Sequence, residues 1–155
     1  MTAQPTAVIE CTRDGFTIST DKARLDVPAI HDFLANFSYW ARNVPLSTVQ
    51  KSIENSLCFG IYDDGNKQVG FARVITDYAV FAYLADVFIL EAYRGRGLAK
   101  WLIACIVSYP ELQSLRRWML ATKDAHGLYA QYGFNPLNKP ERFMEASQPA
   151  AQESR

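Results

Sequence analysis

The chain has 155 residues, 49% of them hydrophobic and 21% charged, which matches one ordinary globular domain and excludes a disordered segment. Lysine plus arginine equals aspartate plus glutamate at 16 each, so no global field favours nucleic acid or an anionic membrane surface. Three widely spaced cysteines and two histidines offer neither a disulfide framework nor metal-ligand spacing, and no apolar run approaches the ~18 residues of a membrane span, so the expectation is a cytoplasmic protein with no metal, no nucleic acid and no membrane partner.

Residues 1–13 and 147–155 are small, polar and unpatterned, and read as loose tails that carry no chemistry around a single core of about 14–146. Apolar and polar residues alternate over 16–19, a short strand. Asp26 is placed to cap a helix with Pro28 in its first turn and an apolar stripe of Ile30, Phe33, Leu34 and Phe37. Ser47 stands three residues before Gln50, a capping-box spacing that opens a second helix running to about Asn55. Residues 57–62 and 68–75 read as a hairpin around the turn Asp63-Asp64-Gly65-Asn66. A run over 81–90, interrupted by Asp86 alone, suits a strand covered on both faces.

Leu98, Trp101, Leu102, Cys105 and Ile106 then recur at helical spacing, ending near Tyr109-Pro110. Residues 118–121 read as a strand, Thr122 or Asp124 as the cap of a short helix that Gly133 ends, and 142–145 as a last strand. The order of elements implies an α/β fold with a largely antiparallel sheet, parallel only in the strand–helix–strand unit around the glycines Gly95 and Gly97.

That glycine turn is the main chemical signal. A strand passing through two glycines into a helix presents unpaired backbone N–H groups and the positive end of the helix dipole, an anion site to which Arg94, Arg96 and Lys100 add charge. The same residues would equally make a tight corner with solvated arginines. A Walker loop is excluded because Gly-Lys-Ser/Thr is absent, and a dinucleotide fingerprint wants a small residue where Lys100 stands.

Arg94-Gly95-Arg96-Gly97-Leu98-Ala99 matches the Arg/Gln-x-x-Gly-x-Gly/Ala signature of the GNAT N-acetyltransferases, and Leu128-Tyr129-Ala130-Gln131-Tyr132-Gly133-Phe134 matches their second signature, Leu-Tyr-x-x-x-Gly-Phe. The chain thus resembles that family from about Phe16 to Glu145, with one departure: Thr122 stands where many relatives carry Asn. The resemblance implies a mixed sheet of about six to seven strands with about four helices and splayed central parallel strands. It also implies that acetyl-CoA is the donor, with backbone groups of Phe88 and Ile89 on its pantetheine arm and the amides of Arg94, Gly95, Arg96, Gly97, Leu98 and Ala99 on its pyrophosphate.

Direct attack by a neutral amine requires one group to take an ammonium proton and another to meet the departing thiolate. Tyr129 is the candidate acid, against the alternative of a core tyrosine on a short helix. Asp86 is the candidate general base, acting directly or through water, although a lone acid in an apolar strand is as commonly tied to a backbone or arginine partner. Tyr39 and Trp40, between the first two helices, are candidates for the acceptor wall, against the alternative that they simply pack in the core. His31 and His126 stay outside the assignment, and Cys105 is read as an inert hydrophobe on the buried stripe. The acceptor is a small-molecule or peptide amine of unspecified identity, and a sheet edge with exposed aromatics leaves room for a homodimer. A module that binds acyl-CoA without turnover is the alternative, with a nucleotide as the weaker third.

Overall fold

Six strands form one sheet in the order β1 (Glu10–Arg13), β2 (Phe16–Ser19), β3 (Leu57–Tyr62), β4 (Gln68–Thr76), β5 (Phe81–Ile89) and β6 (Arg117–Leu120) in a computed structural model that describes residues 7–147. Every neighbouring pair is antiparallel except β5 and β6, which are parallel. Four α-helices accompany the sheet among the described residues: α1 (Val27–Phe37), α2 (Leu46–Glu54), α3 (Leu98–Val107) and α4 (His126–Ala130). The fold is the mixed α/β, mostly antiparallel arrangement expected, and α3 supplies the crossover that parallel neighbours need.

The sheet buries both faces through its centre. Leu57, Phe59 and Ile61 of β3 join Leu102, Ile103 and Ile106 of α3 in one cluster. Cys58, Phe71 and Phe88 join Ile30, Phe33 and Leu34 of α1 and Val49 and Ile53 of α2 in another. Alternation along the strands sends neighbouring residues to opposite clusters, which is why all six residues of β3 are buried.

Several expectations are corrected. Residues 10–13 are not a tail: they pair with β2 across a turn in which Asp14 and Gly15 have φ of 52° and 84°, the left-handed pair of a tight hairpin. Residues 142–145 form no strand; Arg117 lies 4.9 Å from the Phe143 ring, and Met144 is exposed. Asp26 does cap α1, accepting from the Ala29 N–H at 3.1 Å, but Phe37 is exposed rather than part of the buried stripe. The Ser47 capping box does not form, because the helix is capped two residues earlier, at Pro45, whose carbonyl accepts the first bonds of α2 from Thr48 and Val49. In β5, Ala82 and Leu84 are buried while Phe81, Tyr83 and Ala85 are half-buried, so the first half of this strand is fully covered on one face only.

Candidate functional site

The site grows out of a mismatch between two ladders. β5 pairs with β6 only from Phe81 to Leu84, whereas its pairing with β4 continues to Ile89, so the parallel strands part beyond Leu84 and Leu120. Between the two stretches β5 bulges: Asp86 and Val87 oppose Ala72 alone, and Asp86 has a φ of 55°. After the bulge the Leu90 N–H donates to the Val69 carbonyl at 2.8 Å. Backbone groups alternate along a strand, so Phe88 also faces β4 while Val87 and Ile89 face the open side. The expectation of a free Phe88 backbone is therefore corrected; its side chain stacks on Phe33 at 4.0 Å in the α1–α2 cluster. Val87, overlooked in the sequence, shares the open edge with Ile89, and only the position of the bulge reveals it.

At the end of β5 the chain passes through the glycine turn into α3. Gly97 is the residue that caps the helix, at φ 75°, a left-handed conformation strained for a residue with a Cβ. No side chain caps this end, and the first intrahelical bond is from the Trp101 N–H to the Gly97 carbonyl at 3.1 Å. The N–H groups of Leu98, Ala99 and Lys100 therefore lack helical partners. They open on a cavity lined by Ile89, Arg94, Gly95, Gly97 and Leu128. Arg94 serves the turn itself: its Nε donates to the Ile89 carbonyl at 2.9 Å. Arg96 lies 5.5 Å from the Tyr93 ring.

The second motif is brought against the first. Leu128 lines the same cavity, and the Tyr132 hydroxyl donates to the Lys100 carbonyl at 3.0 Å. Tyr129 is 8% exposed and packs edge-on to Phe134. Burial, with smaller contributions from Tyr39 and Asp124, pushes its phenol up to about 12. Its proton is thus retained across the neutral range. Thr122 accepts from the Ala125 N–H at 3.1 Å, shaping the entry to α4.

Across the mouth of the cleft runs the loop between α1 and α2. Trp40 Nε1 donates to Asp86 Oδ1 at 2.8 Å on the β5 side. The Lys123 N–H donates to the Tyr39 hydroxyl at 2.8 Å on the β6 side, and the two rings meet edge-to-face at 5.0 Å. These aromatics are about half exposed rather than core, and their bonds strap the loop to both strands that part. Asp86 is held from behind by Arg73, whose Nε lies 2.8 Å from Oδ2 and whose Nη1 donates to Ser56 Oγ at 3.1 Å. His31 Nε2 contacts the Val44 carbonyl at 2.9 Å and so supports the same loop, while His126 is exposed. Cys105 lies nearer the far end of α3, half-buried, its thiol pushed up to about 11 by burial first and by Cys11 beside it.

A family model described as an acetyltransferase (GNAT) domain matches residues 54–136, more than half of the chain. The chain belongs to the GNAT acetyltransferase family. The matched span holds both motifs, the bulge and the parting strands. This GNAT chain is 32% identical over 142 residues to a Gibberella zeae protein provisionally named an acetyltransferase, covering 77% of this chain and 78% of the relative. A solved GNAT-family structure from Xanthomonas campestris pv. campestris, also provisionally named an acetyltransferase, is 49% identical with a TM-score of 0.86, covering 91% and 99% of the two chains. A GNAT acetyltransferase of Elizabethkingia anophelis, solved with acetyl-CoA bound, shares the fold at 14% identity and a TM-score of 0.61, covering 81% and 80%. No helix among the described residues of this GNAT chain is long and apolar enough to cross a membrane, and no cluster of three His, Cys, Asp or Glu side chains among them is arranged to hold a metal.

Proposed function

We propose that this GNAT chain is an N-acetyltransferase that moves the acetyl group of acetyl-CoA to the primary amine of a small-molecule or peptide acceptor, by direct attack within a ternary complex. The observation that carries this reading is continuity: the open N-terminus of α3 and Ile89, on the edge of β5 that β6 leaves, line one cavity, and Leu128, the chain neighbour of Tyr129, lines it too. Acetyl-CoA fits that path. The cradle is made of backbone, and a Cβ added at Gly95 would meet nothing within 4 Å, so the turn is open rather than packed. The Arg94 N–H is bonded to the Glu91 carbonyl at 3.2 Å, so the amides from Gly95 to Ala99 would hold the pyrophosphate, and the Val87 groups and the Ile89 N–H would pair with the pantetheine arm as a missing strand would.

When bound, acetyl-CoA supplies a thioester whose acyl carbon the amine attacks. The open-edge N–H groups of β5 are placed to donate to the carbonyl oxygen as charge develops. Tyr129 meets the departing sulfur. A phenol near 12 is a weaker acid than a thiol of ordinary pKa, about 8.5, so its contribution is a hydrogen bond to the sulfur as negative charge grows. Tyr39 and Trp40 form the acceptor wall over the cleft. Asp86 has one oxygen on Arg73 and the other on Trp40, which suits it better to fix that wall than to take a proton, so the amine would enter neutral with its ammonium proton left to solvent, and the N–H proton released as the amide forms would pass through solvent to the departing sulfur. The unpaired thiols of Cys11, Cys58 and Cys105 suit a reducing, cytoplasmic setting.

The test is release of free thiol from acetyl-CoA across a panel of primary amines. Release that depends on the amine, and a turnover lowered about 10- to 100-fold in Tyr129→Phe with coenzyme A affinity preserved, is the expected outcome. Tight coenzyme A binding with no amine-dependent thiol on any member of the panel would point instead to a non-catalytic binding module.

A further inference from the structure

The edge strand β1 ends beside the glycine turn, although the sequence reading placed it in a tail. Its last residue, Arg13, pairs with Phe16 across the hairpin, and Phe16 in turn packs edge-on to Tyr93 of the turn at 6.2 Å. The guanidinium lies 5.5 Å from the Trp101 ring on α3. Its Nη2 would be 3.5 Å from a Cβ built on Gly97, the capping residue of the helix. The strand, the hairpin and the indole thus hold one cation at the N-terminal end of α3.

Electrostatics makes this placement unfavourable without an anion. Cations are disfavoured at the positive end of a helix, yet Arg94, Arg96 and Lys100 already crowd that end and Arg13 is added to them. The carboxylate in ion-pair range is Asp14, at 3.7 Å and 86% exposed, a partner that solvent screens. Arg13 itself is half-exposed, so its donors can reach a ligand arriving from solvent. The Trp101 ring holds the guanidinium at 5.5 Å with one terminal nitrogen beside Gly97, and a guanidinium carries the several N–H donors that suit phosphate oxygens.

We propose that Arg13 is a phosphate-binding residue for coenzyme A, contributed by an edge strand that neither sequence motif includes. The proposal rests on the coenzyme reading given above and extends it to a side chain outside the glycine turn. Coenzyme A offers two such anions, its diphosphate and its 3′-phosphate. Both carry the chemistry Arg13 would pair with, and dephospho-coenzyme A, which lacks the second, separates them.

The experiment is calorimetric titration of the full chain with coenzyme A and with dephospho-coenzyme A, for wild type, Arg13→Lys and Arg13→Gln. Affinity for coenzyme A is expected to fall in the order wild type, Lys, Gln, with the Gln variant about tenfold weaker than wild type. An equal loss with dephospho-coenzyme A assigns the contact to the diphosphate, and a loss confined to coenzyme A assigns it to the 3′-phosphate. Unchanged affinity in Arg13→Gln for both ligands overturns the proposal. So does an equal loss in the Lys and Gln variants, since charge would then not be what Arg13 contributes. Failure of the wild type to bind either ligand would refute the coenzyme reading itself, a result distinct from both.

Discussion

Replacing Asp86 with Asn separates the two roles open to this residue, because it removes the charge while keeping the shape. In the wild type the carboxylate lies 2.8 Å from Arg73 Nε, and the two side chains are 11% and 15% exposed. Removing one partner of a fully buried pair costs about 3–5 kcal/mol, whereas an exposed pair is worth about 0–1 kcal/mol. This pair lies between those limits, and Asn retains an oxygen for the Trp40 indole, so a loss of about 2 kcal/mol is expected. At about 2–4 °C per kcal/mol for a chain of this size, the melting temperature should fall by about 4–8 °C. The assay is a thermal melt followed by steady-state kinetics. If Asp86 positions the Tyr39–Trp40 strap, the acceptor KM rises, coenzyme A affinity holds, and the pH–rate profile keeps its shape. A melt within about 1 °C of wild type would show that the ion pair does not support the strap. Loss of a limb from the pH–rate profile would return Asp86 to the role of base.

Two other predictions concern the turn and the alkaline limit. Gly97→Val places a branched residue at φ 75°, which costs about 1–2 kcal/mol of stability. It also blocks backbone approach, so coenzyme A affinity should drop at least about tenfold, and wild-type affinity in calorimetry would contradict the role given to the turn. Tyr62, Tyr78 and Tyr129 are all pushed up to about 12, chiefly by burial, from the ordinary 10.0. The folded chain therefore keeps protons that the unfolded chain releases, so this stability is whole below about pH 10 and drains as pH rises towards 12. For Tyr62, which is 1% exposed, the contribution is on the order of 2–3 kcal/mol. Urea midpoints should fall steeply between about pH 9 and 12, the window set by Cys58, pushed from 9.0 up to about 11, and by these tyrosines; a flat profile would refute the assignment.

What the sequence disclosed was local. The β3–β4 hairpin was legible because Asp63 folds its own turn, accepting from the Gly65 and Lys67 N–H groups at 2.9 Å each. α3 was legible because its apolar residues share one face. β1 was not, since an edge strand reading Glu-Cys-Thr-Arg buries too little to impose an apolar pattern, although Asp14-Gly15 marked its turn. The opposite error was a strand at 142–145, a segment that joins no sheet neighbour and whose Phe143 ring meets Arg117 instead.

The same division runs through the site. The cradle around Gly97 is one continuous stretch of backbone, so its residues could be named in advance. Asp86, Tyr39 and Trp40 could be named but not related, because their bonds to Arg73 and Lys123 join segments far apart in the chain. Arg13 reaches Gly97 only after the whole sheet is assembled. The direction of the Ile89 backbone depended on a bulge whose position no spacing rule supplies.

The most direct test of the central claim is a crystal structure of the chain with coenzyme A. The account predicts the diphosphate on the amides from Gly95 to Ala99, the pantetheine arm between β5 and β6 with Val87 and Ile89 as its backbone partners, and the sulfur within hydrogen-bonding reach of the Tyr129 hydroxyl. Coenzyme A bound elsewhere, or seated on the turn with its arm directed away from the cleft and Tyr129, would contradict it.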